Sequence, residues 1–474
     1  MGDRISKANM FLLIIVCFAQ FIEVMNSSTV VVALPSIQTA LHMHANDLQW
    51  IVTSYVLTFA CFLMIGGRAS DLLGRKRVLM IGLSIFVISS LAGALATNPV
   101  SLIASRAVQG IGAALSIPAA MSLISNNFPV GAQRNKAFGI FGALGSGGAA
   151  AGSIVGGILT DSAGWRSLFY LNVPLGVLLI IGLFFVKVNT SNTVEKKSID
   201  WFGLISVLAG IFVLVYGISM PDVNGSWPVE KIALLIIGIG VLALFVLIEK
   251  FTINPLMPLH LFKIRSLVTS NIIGFLMFSY VTSFNYFSTL YFHELGYSSL
   301  EIGMAFLPLG VTSIIVTQIT PFFMRKFGAK KVQIVTQAIN ALGMFWLSNM
   351  SMDKSYVSFI FPAFIVLGLS VGASYTAVIV GSVQDVKPEE HGIAGGIVNT
   401  FIQLGGSLGL SILATVATTV TGSVHNVSSN NALLSGFHTA LIVAGGFAIV
   451  ALILALLSES KSTNVSSVAQ ELHV

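Results

Sequence analysis

Charge is the first thing this sequence has little of. Only 9% of its 474 residues are Asp, Glu, Lys or Arg, against about a quarter in an ordinary soluble chain. Several water-exposed domains cannot be surfaced from so few charges. Cysteine is scarce too. Cys17 and Cys61 both sit inside apolar runs, which argues against a disulfide framework or a thiolate metal site. No glycine-rich loop ending in Lys-Ser or Lys-Thr occurs, so ATP-driven pumping by this chain is disfavoured. Long polar segments are also missing, which leaves a sensor without a sizeable output domain. What remains is hydrophobic: 55% of the residues are apolar, in runs of about 20, the length a helix needs to cross hydrocarbon. The 33 Phe and 45 Gly suit helices that face lipid and pack through small residues. The first run, about 10–22 behind Arg4 and Lys7, is read as a span and not as a signal peptide, because no clear small-residue cleavage site ends it.

Apolar runs between charged, Pro-rich or Asn-rich breaks predict fourteen transmembrane helices. They fall at about 10–35, 48–66, 78–96, 100–127, 137–160, 167–187, 201–219, 230–250, 267–291, 300–322, 332–350, 356–381, 393–418 and 434–457. An even number puts both termini on one side. With that side as the cytoplasm, twenty of the 24 Lys and Arg residues fall in cytoplasmic segments. Only Arg166, Lys231 and Lys354 fall outside, and Arg106 lies within a span. The positive-inside rule then orients the chain and explains its basic excess of +6 without a polyanionic ligand.

Between the second and third spans the sequence reads Gly67-Arg68-Ala69-Ser70-Asp71-Leu72-Leu73-Gly74-Arg75-Lys76-Arg77. Gly67 and Gly74 permit a tight turn between packed helices. Asp71, amid four basic residues, can pair locally near a helix N-terminus. The corresponding turn in the second half, Arg325-Lys326-Phe327-Gly328-Ala329-Lys330-Lys331, keeps the bases and loses the acid, a weak internal repeat. The fourth span holds Arg106 within Ser105-Arg106-Ala107-Val108-Gln109-Gly110. An arginine there costs roughly 2.5–3.5 kcal/mol to insert, so it is expected to face a partner or a water-filled cavity, or else to snorkel outward. The fifth span carries Gly139, Gly148, Gly152, Ser153, Gly156 and Gly157. Glycines at 148, 152 and 156 share one helical face and let another helix approach closely.

Taken together these motifs resemble the major facilitator superfamily, and within it the fourteen-helix drug/proton antiporters. Gly164-Trp165-Arg166 through Phe169, Asn172, Pro174 and Gly176 is similar to that family's approach to its sixth helix. Asp200-Trp201-Phe202-Gly203 is similar to the start of its extra helix pair. The resemblance implies an all-α integral membrane fold of two six-helix bundles plus two extra central helices. The bundles would occupy 1–187 and 263–458, the linker and extra pair 188–262, and a cytoplasmic tail 459–474. It implies a gating role for Gly67, Asp71, Gly74, Arg75 and Arg77, and proton coupling for Arg106. It also makes the fifth-span series the antiporter motif, with Ser153 where the family usually has proline. The implied activity is secondary active export of small lipophilic or cationic compounds by proton antiport and alternating access. Partners would be a small-molecule substrate, protons and the bilayer of a cell membrane, with both termini cytoplasmic. A monomer is expected, and no enzyme activity, cofactor, metal or nucleic acid.

The first span departs from that pattern. Asn26 stands where the family usually carries an aspartate ahead of Val32-Ala33-Leu34-Pro35. Gln20, Glu23 and Ser27 form a polar stripe at helical spacing, with Asn26 on its edge. Glu23 is the only acid well inside any predicted span, and a carboxyl there is costly to keep ionised, which suits proton binding. The expectation is that Asn26 hydrogen-bonds Arg106 while Glu23, one turn deeper, binds protons or a cationic substrate. A candidate substrate pocket comprises Gln20, the ninth-span aromatics Phe278, Phe284 and Tyr286, and Asn399 and Gln403 of the thirteenth, with stacking and cation–π contacts available. Two other readings stay open. Asn26 and Ser153 favour a uniporter or uptake symporter. A membrane-embedded lipid-modifying enzyme would need a reactive cluster, and His42, His44 and Asp47 form the only dense outer one, expected to be solvated.

Overall fold

In the computed structural model the described residues are 7–129, 132–186, 200–220, 227–253, 255–351, 355–387, 390–423 and 429–458. Their regular structure is helical throughout: α1 (Lys7–Leu41), α2 (Ala45–Leu73), α3 (Arg75–Ala94), α4 (Pro99–Asn127), α5 (Ala132–Ala163), α6 (Arg166–Phe185), α7 (Trp201–Ser219), α8 (Val229–Phe251), α9 (Arg265–Glu294), α10 (Ser299–Phe327, interrupted at Phe306), α11 (Ala329–Leu347), α12 (Phe361–Val383), α13 (His391–Ser423) and α14 (Ser429–Leu457). Arg4, Lys187, Lys196, Lys197, Lys354 and Lys461, the greater part of the expected linker and the expected tail lie outside the described residues.

Thirteen of the fourteen helices are long and apolar enough to cross a membrane. The exception is α11, whose Gln333, Thr336, Gln337 and Asn340 lower its hydropathy but are all buried inside the protein. It runs the full thickness nonetheless. At one end Lys330 Nζ donates to Ser458 O, just beyond α14. Past its other end, Met350 O lies against His438 Nε2 near the start of α14.

The packing is duplicated. In the first bundle α1 rests on α4, α5 and α6, while α4 also packs on α2 and α3, and α3 on α6. The second bundle repeats every one of these pairings eight helices later: α9 on α12, α13 and α14, α12 on α10 and α11, α11 on α14. The bundles meet along α1 with α9, α5 with α10 and α2 with α13. Helices α7 and α8 pair with each other, and α7 leans on α2 and α13. The extra pair is therefore central in sequence only, and covers one side seam.

The repeat extends to single residues. Gly74 and Gly328 break α2 from α3 and α10 from α11 with φ of +90° and +85°, a region that residues with a Cβ rarely enter. Two residues later, Lys76 Nζ donates to Val186 O at the end of α6, 2.8 Å away, as Lys330 does at the end of α14. Each lysine satisfies a carbonyl that the helix leaves unpaired, at the negative end of its dipole.

The face bearing these basic turns, the basic face, differs from the opposite, far face. Toward the far face one apolar cluster, including Leu34, Ile51, Phe169, Phe292 and Phe306, joins both bundles. Toward the basic face the core divides, with Leu12, Leu79, Leu123 and Leu183 in one bundle and Ile273, Val378, Val398 and Ala451 in the other, and Met64 of α2 packs on a smaller cluster of Leu267, Ala394 and Ile397. Backbone contact closes the far seam. A Cβ at Gly303 would lie 2.1 Å from Ser153 O, and one at Gly157 2.5 Å from Leu300 Cα. Asp161, near the end of α5, accepts hydrogen bonds from Ser299 N at 3.0 Å and Leu300 N at 2.9 Å in the first turn of α10.

A side chain at Gly303 must therefore push α10 off α5. With Leu300→Cys as reporter and the native Cys17 and Cys61 buried, Gly303→Leu should raise labelling by a membrane-impermeant maleimide several-fold over the Gly303 parent. Unchanged labelling would show that this seam does not seal the far face.

Candidate functional site

The polar groups of the first bundle converge where α1, α2, α3, α4 and α6 meet. Arg106, only 1% exposed, does not snorkel. Its Nε donates to Ile51 O at 3.1 Å, an Nη donates to Gln109 Oε1, and its guanidinium lies over the Tyr55 ring, 4.3 Å from the centroid. Gln109 then spends its amide on two further helices, donating to Ser90 Oγ at 2.7 Å and to Asn26 Oδ1 at 3.3 Å. Asn172 Nδ2 of α6 reaches the same Asn26 oxygen at 2.8 Å.

This arrangement corrects the expected bond between Asn26 and Arg106. The two are joined through Gln109, because an arginine one helical turn from a glutamine on its own helix face meets it first. Asn26 thus acts as an acceptor for Gln109 and Asn172, where an amide serves and no charge is required. Glu23 stands apart from the network. It is 1% exposed, and both carboxyl oxygens lack a hydrogen-bond partner. Its neighbour Ser116 on α4 gives its hydroxyl to Gly112 O at 3.0 Å. Tyr55 lies within electrostatic reach of both Glu23 and Arg106.

The glycine series divides its work. Cβ atoms at Gly148, Gly152 and Gly156 would meet Phe21 O, Met25 O and Thr29 Cα at 2.6 to 2.8 Å, so these three seat α5 along successive turns of α1. Gly157 and Ser153 instead face α10 across the seam between bundles, while Gly139 is open. Ser153 bonds back to Ala149 O, 3.4 Å away. Gly67, expected to help form the turn, lies inside α2 with open space around it; Gly74 alone makes the break, and Arg77 is exposed. Arg75 is partly buried, and the side chain of Asp71 lies outside the described residues.

The candidate pocket residues do not gather in one place. Gln20 packs beside Gly145 of α5, and Phe278 is partly buried with its ring 6.1 Å from that of Tyr375. Phe284 and Tyr286 are core residues of the second bundle, packed edge-on against Phe364 and Phe287. Asn399 bonds its own helix at Gly395 O, and Gln403 is partly buried one turn on. Sequence reasoning passed over Tyr55, Ser90, Gln109 and Asn172 as site residues. The signal for Gln109 was its position three residues after Arg106; nothing local marks the others.

The family profile described as Major Facilitator Superfamily matches residues 16–410. The chain is 34% identical over 403 residues to the cephamycin export protein CmcT of Amycolatopsis lactamdurans, covering 84% of this chain and 82% of that protein. It is 32% identical over 405 residues to the puromycin resistance protein pur8 of Streptomyces alboniger, covering 84% and 79%. Among solved structures, a mutant of the nucleoside transporter NupG superposes with a TM-score of 0.67 at 14% identity, covering 94% of this chain and 98% of that one. At that identity the likeness concerns the fold alone.

Gln109→Leu removes the link between Arg106, Asn26 and Ser90 and leaves buried polar atoms unanswered, a loss of about 1–3 kcal/mol. Thermal unfolding in detergent should show a clear fall in Tm. Asn172→Ala removes one of Asn26's two donors and should cost less. Equal stability of Gln109→Leu and the parent would refute the linking role.

Proposed function

Because the chain belongs to the Major Facilitator Superfamily, we propose that it is a secondary active exporter of small lipophilic or cationic compounds, which it exchanges for protons by alternating access. Membership makes it a membrane transporter and not an enzyme. The observation that carries the finer reading is Glu23, a buried carboxyl within electrostatic reach of Tyr55, the ring that covers Arg106. A proton on Glu23 neutralises it, and so does a cationic substrate. The two occupants compete for one site, which is the logic of antiport.

In this reading the basic face is cytoplasmic, following the positive-inside rule. The bundles are then sealed on the outer side and parted on the inner side, the state that receives substrate from the cell. Gly67, Asp71, Gly74, Arg75 and Arg77 form the inner gate, and the α5–α10 contact at Gly157, Ser153 and Gly303 forms the outer one. Arg106 is held by Ile51 O and Gln109 in this state. Ionisation of Glu23 puts a negative charge within reach of Tyr55, the ring that covers Arg106, and favours rearrangement of the network. Asn26 favours a second reading, a carrier without proton coupling, because the amide is fully used as an acceptor and cannot itself carry a proton.

Proteoliposomes with an imposed pH gradient and a fluorescent lipophilic cation separate the two. The parent should accumulate the cation against its gradient. Glu23→Gln should abolish accumulation while retaining exchange of labelled for unlabelled cation. Equal gradient-driven transport by both proteins would remove Glu23 from the coupling mechanism.

A further inference from the structure

Three acids are buried among the described residues, and the site above uses only Glu23. The other two, Asp200 and Glu249, come from the extra helix pair and meet each other. Asp200 caps α7, accepting from Gly203 N through Oδ1 at 2.8 Å. Glu249, in the last turn of α8, accepts from Leu256 N at 3.1 Å through Oε1 and from Met257 N at 2.9 Å through Oε2. Both side chains converge above Gly203. From the point a Cβ would take there, Asp200 Oδ2 is 2.5 Å away and Glu249 Oε1 2.9 Å. Asp200 is only 7% exposed, and its Oδ2 has no hydrogen-bond partner.

We propose that Asp200 and Glu249 form a second proton-binding site, in which one proton is shared between the two carboxylates beside Arg68. Arg68 lies within electrostatic reach of both and also donates to Pro255 O. Among the described residues one guanidinium faces two carboxylates, which leaves a buried negative charge. Two close carboxylates with too little positive charge around them keep a proton. A proton shared by the pair lowers the negative charge buried above Gly203. Helix capping alone explains Oδ1 and the backbone bonds to Glu249, but not why a second carboxylate is brought to the same point above Gly203.

The site has a route to water. Glu249 borders an open depression of about 470 Å³ on the basic face, also lined by Lys250, Pro255, Pro258, Leu259 and His260. Lys250 is exposed, and His260 is bonded to Glu390 at 2.7 Å, so the charged groups nearest the mouth are solvated or paired. Arg68 lies near the C-terminal end of α2, ahead of the Gly74 break. Loss of the shared proton strengthens its attraction to the extra pair, and gain weakens it. The α7–α8 hairpin thereby senses the acidity of the basic-face compartment and passes it to that end of α2.

Infrared spectroscopy of the full chain in nanodiscs reads the proton directly and does not depend on transport. A Glu23→Gln background removes the third buried acid. That parent should show a protonated-carboxyl C=O band at neutral pH. The band should vanish on adding either Asp200→Asn or Glu249→Gln, since one carboxylate beside Arg68 has no reason to stay protonated. It should intensify on adding Arg68→Met, which keeps both acids. No band in the Glu23→Gln parent, or a band surviving both acid substitutions, overturns the proposal.

Discussion

Arg106 carries a charge that no protein environment removes, and α4 places it where water does not reach it. Much of the first bundle's interior is arranged around that fact. A backbone carbonyl takes one edge of the guanidinium, an amide takes another and an aromatic face covers it. Gln109 then passes the constraint on to α1 and α3. Five helices are tied through a handful of side chains, in a medium that supplies no hydrogen bonds of its own. Breaking one partner of such a set costs more than the bond is worth, because it strands the remainder. Glu23 sits one step outside, with the Ser116 hydroxyl as its polar neighbour and Tyr55 within electrostatic reach.

The second bundle meets the same demand without a charge. Tyr280 donates to Gln337 at 2.8 Å, Gln337 to Ser374 at 2.7 Å, and Ser370 to Asn340. These residues lie on α9, α11 and α12, the repeats of the α1, α3 and α4 that carry Asn26, Ser90 and Gln109. Duplication preserved the architecture, the left-handed glycine turns and the lysine caps, while the chemistry diverged. Among the described residues buried charge is confined to the first bundle and the extra pair. The acids of the extra pair make it more than a lipid-facing addition.

Much of the fold was legible in the residues. Hydrocarbon tolerates only segments that satisfy their own backbone, so apolar runs of the right length predict helices almost one for one. Even α11 was found this way, although inward-facing polar side chains leave it short of a purely apolar span. The spacing of Gly148, Gly152 and Gly156 announced a close helix contact, though not that α1 would fill it. The site was read less well. Placing Asn26 on Arg106 assumed that residues at equal depth on neighbouring helices touch. Depth along an axis says nothing about rotation, and Gln109 on Arg106's own helix had the shorter reach. The pocket aromatics carry a related ambiguity: Phe284 and Tyr286 are as apolar as a binding site requires, and as a bundle core requires.

By itself the sequence determined the medium, the number of spans, their alternation and the two turns that need glycine. Each of these follows from local composition weighed against lipid or backbone sterics. Only the tertiary structure decided which face is sealed, that α7 and α8 lie over a side seam, and which buried polar groups answer one another. Those outcomes depend on how fourteen helices rotate about their axes to leave the fewest polar atoms unpaired. That is a property of the whole packing, and no single segment carries it.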